Sequence, residues 1–364
     1  MNGAPISADF LPPNMKKHVD PAAPVALRMM AAKALVPLAA SDMASILFML
    51  TYDADAAVRE TAVRSAAGLP DRILASALRD EALPPPVLGF YLRTLWDKDD
   101  YAEMLVLNGA TPDEDVAAIT PRCSARVLES IGQNQLRLLR HTDIVRQLCR
   151  NPVASGALVD SVCDFAVRSG VDLPDVPQMT AAKVRIFGPQ AASQPVQQGP
   201  TADEVLTQFQ ELVEEGASPL EEGKRLTLTQ QVMKMSISEK IKLATRGNKE
   251  ARGLLLRDSN KLVATAAIRS PRITDGEVLM CAANKGVNDE VLRVIYSNRE
   301  WTKDYRIKLA LVKNPKTPMA LSMRFLSTLR DSDVKDLARD RNVPSGVAQH
   351  AKKTIEKKTM PNRK

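Results

Sequence analysis

Aromatic residues are scarce in this chain of 364 residues, at 4% of the composition, although 45% of the residues are hydrophobic. Strands are enriched in aromatic and β-branched side chains, whereas Ala, Leu and Met favour helices. A fold based on sheets is therefore disfavoured. The apolar share is also too high for a wholly disordered chain. We predict an all-α fold.

Histidine is almost absent as well, and this argues against common catalytic chemistry. None of the three histidines, His18, His141 and His350, stands in the spacing of a metal-ligand motif. No GxGxxG or GxSxG motif occurs. His141 directly precedes Thr142, which we interpret as a helix cap. This position is typical of an exposed histidine rather than of a general base that activates a nucleophile. We expect a non-enzymatic protein with no cofactor and no metal.

Cysteines are few and have no framework spacing. The four are Cys123, Cys149, Cys163 and Cys281, and none is part of a CxxC motif. Such scattered cysteines are typical of small core residues in a reducing compartment.

Long apolar runs are missing too. Polar residues and a proline interrupt even the most apolar stretch, residues 25–50, so we expect no transmembrane segment. The first 20 residues lack a basic-then-apolar signal pattern. A cytoplasmic location is the expectation.

The charge of the chain is unevenly distributed. Residues 1–200 hold 19 Lys/Arg and 22 Asp/Glu, whereas residues 201–364 hold 31 and 21. All seven acids of residues 201–222 lie in a stretch without bases, so residues 223–364 carry a net charge of +17. Such an excess favours an anionic partner, which is nucleic acid, an acidic protein surface or a lipid headgroup layer.

Composition divides the chain into five parts. Residues 1–24 and 171–200 each hold five prolines and few apolar residues, which predicts a flexible N-terminal arm and a disordered Pro/Gln-rich linker. Two helical blocks, 25–170 and 201–355, remain between them. Residues 356–364 are interpreted as a basic tail.

A short motif recurs in both blocks: an apolar helix, a small polar residue, and a polar or proline-containing start of the next helix. In the first block the polar residues Ser65, Asn108 and Asn151 are 43 residues apart. In the second block Ser270 and Asn314 are 44 apart, and Asn342 follows after 28. Proline blocks the continuation of a helix, and Thr or Ser caps the next one. Ser236–Glu239 and Thr274–Glu277 have the spacing of capping boxes.

The Asn-Pro and Ser-Pro turns and their 43–44 residue spacing resemble HEAT-like and leucine-rich-repeat-variant α-solenoids, whose units are sets of two or three helices. The resemblance covers about residues 60–165 and 240–350. It implies stacked short helices with an extended surface for docking partners. The alternative is a non-repetitive helical bundle with ordinary caps.

Positive side chains of the second block are the candidate binding residues. They occur at helical spacing or interleaved with an aromatic ring, a pattern used by surfaces that contact phosphates and bases. The same pattern also fits a solvated helix face, with Trp301 and Tyr305 packed together on the core. The candidates for a partner or polyanion are Lys240, Lys242, Arg246, Lys249, Arg252, Arg299, Trp301, Lys303, Arg306 and Lys308.

Two functions follow from these patterns. The favoured one is a protein–protein interaction scaffold or adaptor; the alternative is a nucleic-acid-binding module that grips backbone phosphate through the second block. The acidic segment 202–215 is predicted to mask part of the basic face. An enzymatic version, similar to HEAT-like DNA glycosylases, has only Trp301 and Asp304 to support it. The sequence leaves the oligomeric state open.

Overall fold

A computed structural model describes residues 5–192, 199–207 and 229–359. The chain divides into two compact units, Met1–Val196 and Gln197–Lys364. The described residues are helical or in turns and contain no strand. The predicted all-α class is confirmed.

The helices of the first unit are short and closely spaced. A 3-10 helix at Ala8–Phe10 precedes them, and another at Pro189–Ala192 follows them. In order they are α1 (Pro13–Lys16), α2 (Val25–Ala32), α3 (Ala40–Leu50), α4 (Ala56–Ala67), α5 (Asp71–Leu78), α6 (Pro85–Leu95), α7 (Asp99–Leu107), α8 (Asp113–Ile119), α9 (Ala125–Gln133), α10 (Gln135–Arg140), α11 (Asp143–Arg150), α12 (Gly156–Arg168) and α13 (Pro177–Phe187).

The second unit has the same character. Residues 202–207 and 229–234 are helical, and Trp301–Lys303 is a 3-10 turn. Its other helices are α14 (Ile237–Arg246), α15 (Lys249–Leu255), α16 (Lys261–Ile268), α17 (Asp275–Ala283), α18 (Asp289–Ser297), α19 (Tyr305–Lys313), α20 (Met319–Leu326), α21 (Asp331–Arg339) and α22 (Ser345–Thr359).

Many helices pack on the next helix along the chain, on the one after it, or on both. In the first unit α2, α4, α6 and α8 contact one another in sequence, and so do α3, α5, α7 and α9. In the second unit α14, α16 and α18 are in contact, as are α17 and α19. Helices this short are unstable in isolation, so each must bury its apolar side on neighbours. The result is two rows of helices in each unit.

Polar caps begin many of these helices, as the sequence predicted. Thr274 and Glu277 form a complete capping box at the start of α17. Ser236 accepts from the N–H of Glu239, but the Glu239 carboxylate turns to the N–H of Ala202 instead of returning to the cap. The predicted capping box at Thr274 is confirmed, and the one at Ser236 is only half formed.

Three asparagines at helix ends join each turn to an earlier one. Asn108, Asn151 and Asn314 are 5%, 5% and 1% exposed. Each Oδ1 accepts from the N–H two residues later. Each Nδ2 donates to two backbone carbonyls at or just after the end of an earlier helix, where carbonyls have no partner within the helix. Those carbonyls belong to Leu78 and Asp80, to Thr120 and Cys123, and to Ala282 and Asn284.

The predicted pivot at Ser65 is wrong. Ser65 lies within α4, which continues to Ala67. Val58, Ala62 and Ala66 recur every four residues and are fully buried, so the apolar stripe carries the helix past the serine. The equal spacing from Ser65 to Asn108 is therefore not a spacing between turns.

The predicted flexible ends are wrong for the residues that the structure describes. Leu11 and Val19 are 2% and 3% exposed, so residues 5–24 pack rather than form a loose arm. Pro13 opens α1, and a proline in the first turn of a helix costs no hydrogen bond. At the other end α22 continues to Thr359, inside the predicted tail; residues 360–364 lie outside the description.

The predicted linker is wrong over residues 171–187. Val176 and Met179 are 3% and 0% exposed, and α13 packs on α12. Lys183 is buried and forms an ion pair with Asp172. Proline-rich composition misled because two of the five prolines, Pro174 and Pro177, stand before or at the start of α13, where they are compatible with a helix. Residues 193–198 of the predicted linker lie outside the description.

Replacing Val176 with alanine measures whether this segment belongs to the core. We expect a loss of about 1–2 kcal/mol in the free energy of unfolding, since two buried methyl groups disappear. Urea unfolding followed by circular dichroism gives the value. The control is Val153→Ala, at a side chain that is 53% exposed, where a change within about 0.5 kcal/mol is expected. Equal small effects at both positions would show that 171–187 is a linker after all.

Candidate functional site

An open groove crosses the row formed by α5, α7 and α9. Its volume is about 880 Å³, and helix residues from all three contribute to its walls. The lining residues are Asp71, Ala75, Arg79, Glu81, Lys98, Asp99, Asp100, Tyr101, Glu103, Met104, Leu107, Asn108 and Arg126.

The buried end of the groove is fixed by Asn108. Its amide donates to the carbonyls of Leu78 at 2.9 Å and Asp80 at 3.2 Å, which sets the position of α7 along α5. From α10 the buried Arg137 donates to the carbonyl of Asn108 at 2.9 Å. Arg137 also pairs with Asp113 at 2.5 Å. The spacing of the groove walls is therefore held by bonds between residues distant in sequence.

Charged side chains cross the groove from one helix to the next. Arg126 of α9 donates to Asp100 at 2.8 Å and to Glu103, both on α7. These two carboxylates raise the pKa of Arg126. Ser130 donates to the other oxygen of Glu103 at 2.9 Å. Five acidic and three basic residues line the groove, so its net charge is negative.

Tyr101 connects α7 to α5. Its hydroxyl donates to Asp71, and Lys98 lies 5.9 Å from the centre of its ring. The hydrogen bond to Asp71, with a smaller contribution from burial, raises the pKa of Tyr101 to about 12. A phenol with this pKa stays protonated near neutral pH, so it acts as a structural donor rather than a base.

Three of the residues that line the groove, Ala75, Met104 and Leu107, are apolar. Leu107 is 59% exposed at the last residue of α7, and Met104 and Ala75 are half-buried beside it in the lining. A large exposed aliphatic side chain surrounded by polar groups is typical of a surface that another molecule covers. The groove is thus suited to a ligand with an apolar side and positive flanks.

The candidate residues of the second block do not form one free basic surface. Arg252 is 4% exposed and forms a two-bond ion pair with Glu277, at 3.0 Å for each bond. It is a core residue, and its prediction as a polyanion contact is wrong. A basic stripe was inferred there because helical spacing alone does not tell which side of α15 faces the core.

Five more candidates are paired with a nearby acid, which reduces the positive charge that they offer to a ligand. The pairs are Lys240–Asp258, Lys242–Glu239, Arg246–Asp203, Lys303–Glu300 and Arg306–Asp304. Lys249 and Arg299 are exposed, and Trp301 and Lys308 are half-buried.

Trp301 and Tyr305 do not share a helix face, contrary to the alternative interpretation of that cluster. Trp301 lies in a 3-10 turn, and α19 begins only at Tyr305. The ring of Tyr305 instead faces the guanidinium of Arg330 at 4.8 Å, and its hydroxyl donates to Asp333.

The described part of the acidic segment lies within the second unit and contacts α14. Val205 is fully buried, and Asp203 approaches Arg246 at 3.3 Å. The Ala202 N–H donates to Glu239 of α14 at 2.8 Å. These contacts agree with partial masking of the basic face, and residues 208–215 of the segment lie outside the description.

Sequence reasoning missed the groove. Asp99 and Asp100 form the first turn of α7, where acids interact favourably with the helix dipole. A signal was available, since Asp99 to Leu107 has acids first and apolar residues after them. The partners Asp71 and Arg126 lie far away in sequence, so their convergence had no local signature.

Two further features concern chemistry and membranes. Among residues 5–192, 199–207 and 229–359, no group of three or more His, Cys, Asp or Glu is placed to hold a metal ion. No helix in the described part of the chain has the length and apolar character required to cross a bilayer.

Comparison with known proteins does not assign this chain to a family. No family model, no curated protein and no solved structure matches it.

Proposed function

We propose that this chain is a non-enzymatic adaptor that binds a partner protein in the groove between α5, α7 and α9. The observation that carries the proposal is the exposed Leu107, 59% accessible, inside a groove with a net negative charge. Exposure of such a side chain to water is unfavourable, and a partner that covers it recovers that free energy.

The chemistry of the groove specifies its occupant. Apolar side chains of a partner would cover Leu107 and Met104, while its Lys or Arg side chains would meet Asp71, Glu81 and Asp99. An amphipathic helix with one apolar face and basic flanks supplies both kinds of contact. We therefore propose a basic amphipathic helix of another protein as the bound segment.

The proposal extends to the architecture. The recurring contacts between alternate helices support a HEAT-like or leucine-rich-repeat-variant α-solenoid in each unit. The repeated asparagine turns support it as well, because equivalent bonds recur at Asn108, Asn151 and Asn314.

A second candidate function is polyanion binding by the second unit. The net charge of +17 over residues 223–364 favours it. Six of the ten candidate residues form ion pairs with acids of the same unit, which argues against a strong site. If it binds DNA or RNA, affinity must fall steeply as salt rises, because phosphate contacts release counterions.

A pair of helical peptides tests the adaptor. Both carry leucines on one face, and the opposite face is all lysine in one peptide and all glutamate in the other. We expect the full chain to bind the lysine peptide in a fluorescence anisotropy titration. Leu107→Lys should weaken that binding roughly ten-fold, since it places a like charge in the centre of the contact. Circular dichroism verifies the fold of each variant.

The matched control is Val63→Lys, at a side chain that is 42% exposed on α4, and it should bind as the original chain does. Equal affinity for the two peptides, or no effect of Leu107→Lys, would refute the groove as the docking site. A salt-sensitive shift with duplex DNA but not with either peptide would favour the second function instead.

A further inference from the structure

Two cysteines that are distant in sequence meet between α11 and α12. Cys149 lies near the end of α11 and Cys163 in the middle of α12. Their sulfur atoms are 3.6 Å apart, which is within contact distance. Cys163 is fully buried and Cys149 half-buried, so one thiol of the pair is reachable from solvent.

The two thiols differ in the direction of their pKa shifts. A hydrogen bond from Cys163 lowers the pKa of Cys149, because it stabilises the thiolate. The same bond, together with burial, raises the pKa of Cys163. A thiolate is the reactive form of cysteine, and Cys149 is also the more exposed of the two, so it is the better placed of the pair to act as a nucleophile.

The other two described cysteines lack these features. Burial raises the pKa of Cys123 to about 12 and that of Cys281 to about 11. Cys123 is 1% exposed and Cys281 7%. Burial thus disfavours the reactive thiolate at Cys123 and at Cys281.

We propose that Cys149 and Cys163 form a thiol-modification site that reacts with hydroperoxides and closes to a disulfide between α11 and α12. The Cys149 thiolate attacks the distal oxygen of the peroxide; the sulfur–oxygen bond forms, the oxygen–oxygen bond breaks, and the released alkoxide or hydroxide takes a proton. Cys149 is then a sulfenic acid.

Cys163 completes the reaction. Its sulfur attacks the sulfenic sulfur, the sulfur–sulfur bond forms, and the hydroxyl group leaves with the thiol proton as water. The two thiols lose two electrons in total, and the peroxide becomes an alcohol, or water from hydrogen peroxide. The closure brings the sulfurs from contact to the bonded distance of about 2.0 Å, a small movement for side chains on adjacent helices.

Treatment of the full reduced chain with hydrogen peroxide tests the site. We expect an intact mass lower by two hydrogen atoms, and a non-reducing peptide map in which the peptides with Cys149 and Cys163 are joined. In Cys163→Ser the sulfenic acid of Cys149 should persist, so that labelling by dimedone rises about ten-fold over the original chain. Cys123→Ser, the control, should still form the disulfide.

Alkylation of the unaltered chain is a second test, which does not depend on whether the Cys163→Ser variant folds. In the unaltered reduced chain, Cys149 should react with iodoacetamide faster than Cys123 and Cys281, as read by peptide mass spectrometry. A peptide map without the Cys149–Cys163 link after peroxide treatment, or equal alkylation of all cysteines in the native chain, would overturn the proposal. The result is independent of partner binding in the groove.

Discussion

Replacing Glu277 with alanine is expected to lower the free energy of unfolding by about 3–5 kcal/mol, because the substitution leaves a buried guanidinium without its counter-charge. Glu277 is 2% exposed and its partner Arg252 4%. Both bonds between them are 3.0 Å long. Arg252 also donates to the carbonyl of Gly247, so its head group cannot simply swing into solvent.

The same carboxylate closes the capping box of α17. Glu277 accepts from the N–H of Thr274 at 3.0 Å and from its hydroxyl at 2.7 Å. The alanine variant therefore loses part of a helix cap as well as the ion pair. Loss of a cap typically costs about 1 kcal/mol, which places the expected effect in the upper part of the range.

Urea unfolding of the full chain measures this effect. The control is Glu300→Ala, which removes an ion pair between side chains that are 76% and 71% exposed, and it should change stability by less than about 1 kcal/mol. The double variant Arg252→Met, Glu277→Leu should recover much of the loss, since no unpaired charge remains. A loss below about 1 kcal/mol for Glu277→Ala would show that Arg252 is not confined to the core.

Acidic pH is expected to remove the contribution that the ionised Glu277 carboxylate makes to the stability of the fold. Burial by itself raises the pKa of this carboxyl, but the bonds from Arg252 and Thr274 outweigh it and the pKa is lowered. A carboxyl whose folded pKa is depressed stabilises the fold above its unfolded pKa of about 4.3. The stability difference between the original chain and Glu277→Ala should therefore be constant at neutral pH and shrink as the pH falls through the folded pKa.

Asn314→Asp is expected to cost about 2–4 kcal/mol of stability, because it removes the side-chain donor from one buried and one part-buried carbonyl while preserving the size of the side chain. Asn314 Nδ2 donates to the carbonyls of Ala282 at 2.9 Å and Asn284 at 3.1 Å. An aspartate can still accept from the N–H of Lys316, as Asn314 does at 3.0 Å. Its second oxygen would then face two carbonyl oxygens with no proton between them.

The control uses the same exchange at another helix end. Asn298 follows α18 and accepts from the N–H groups of Glu300 and Trp301, but within the described residues its amide nitrogen donates to no carbonyl. Asn298→Asp keeps both accepting bonds, so a change within about 0.5 kcal/mol is expected. Thermal and urea unfolding of both variants give the comparison. Similar losses at both sites would mean that the turn, and not the bond between helices, is the source of stability.

The chain itself contains the aspartate form of this turn. Asp80 and Asp340 accept from the N–H two residues later, as the asparagines do. Neither carboxylate can donate to an earlier helix. The turn alone thus tolerates either residue, and asparagine is required only where an earlier helix end presents buried carbonyls.

Local chemistry determined the features that depend on a few neighbouring residues. The helical class followed from composition, the capping box at Thr274 from spacing, and the stops at Asn108, Asn151 and Asn314 from polar residues before a turn. These features are readable because helix propensity, capping and turn bonds act over about four residues.

Only the tertiary structure decided which of these residues meet. Asn108 reaches Leu78, and Arg252 reaches Glu277, over separations of 30 and 25 residues. The same stacking of helices produces three further features: the groove at Leu107, the folded structure of residues 171–187, and the contact between the two sulfur atoms. When alternate helices pack together, the orientation of each helix about its own axis decides which side chains meet. That orientation depends on the packing of the whole unit, so a short stretch of sequence does not predict it.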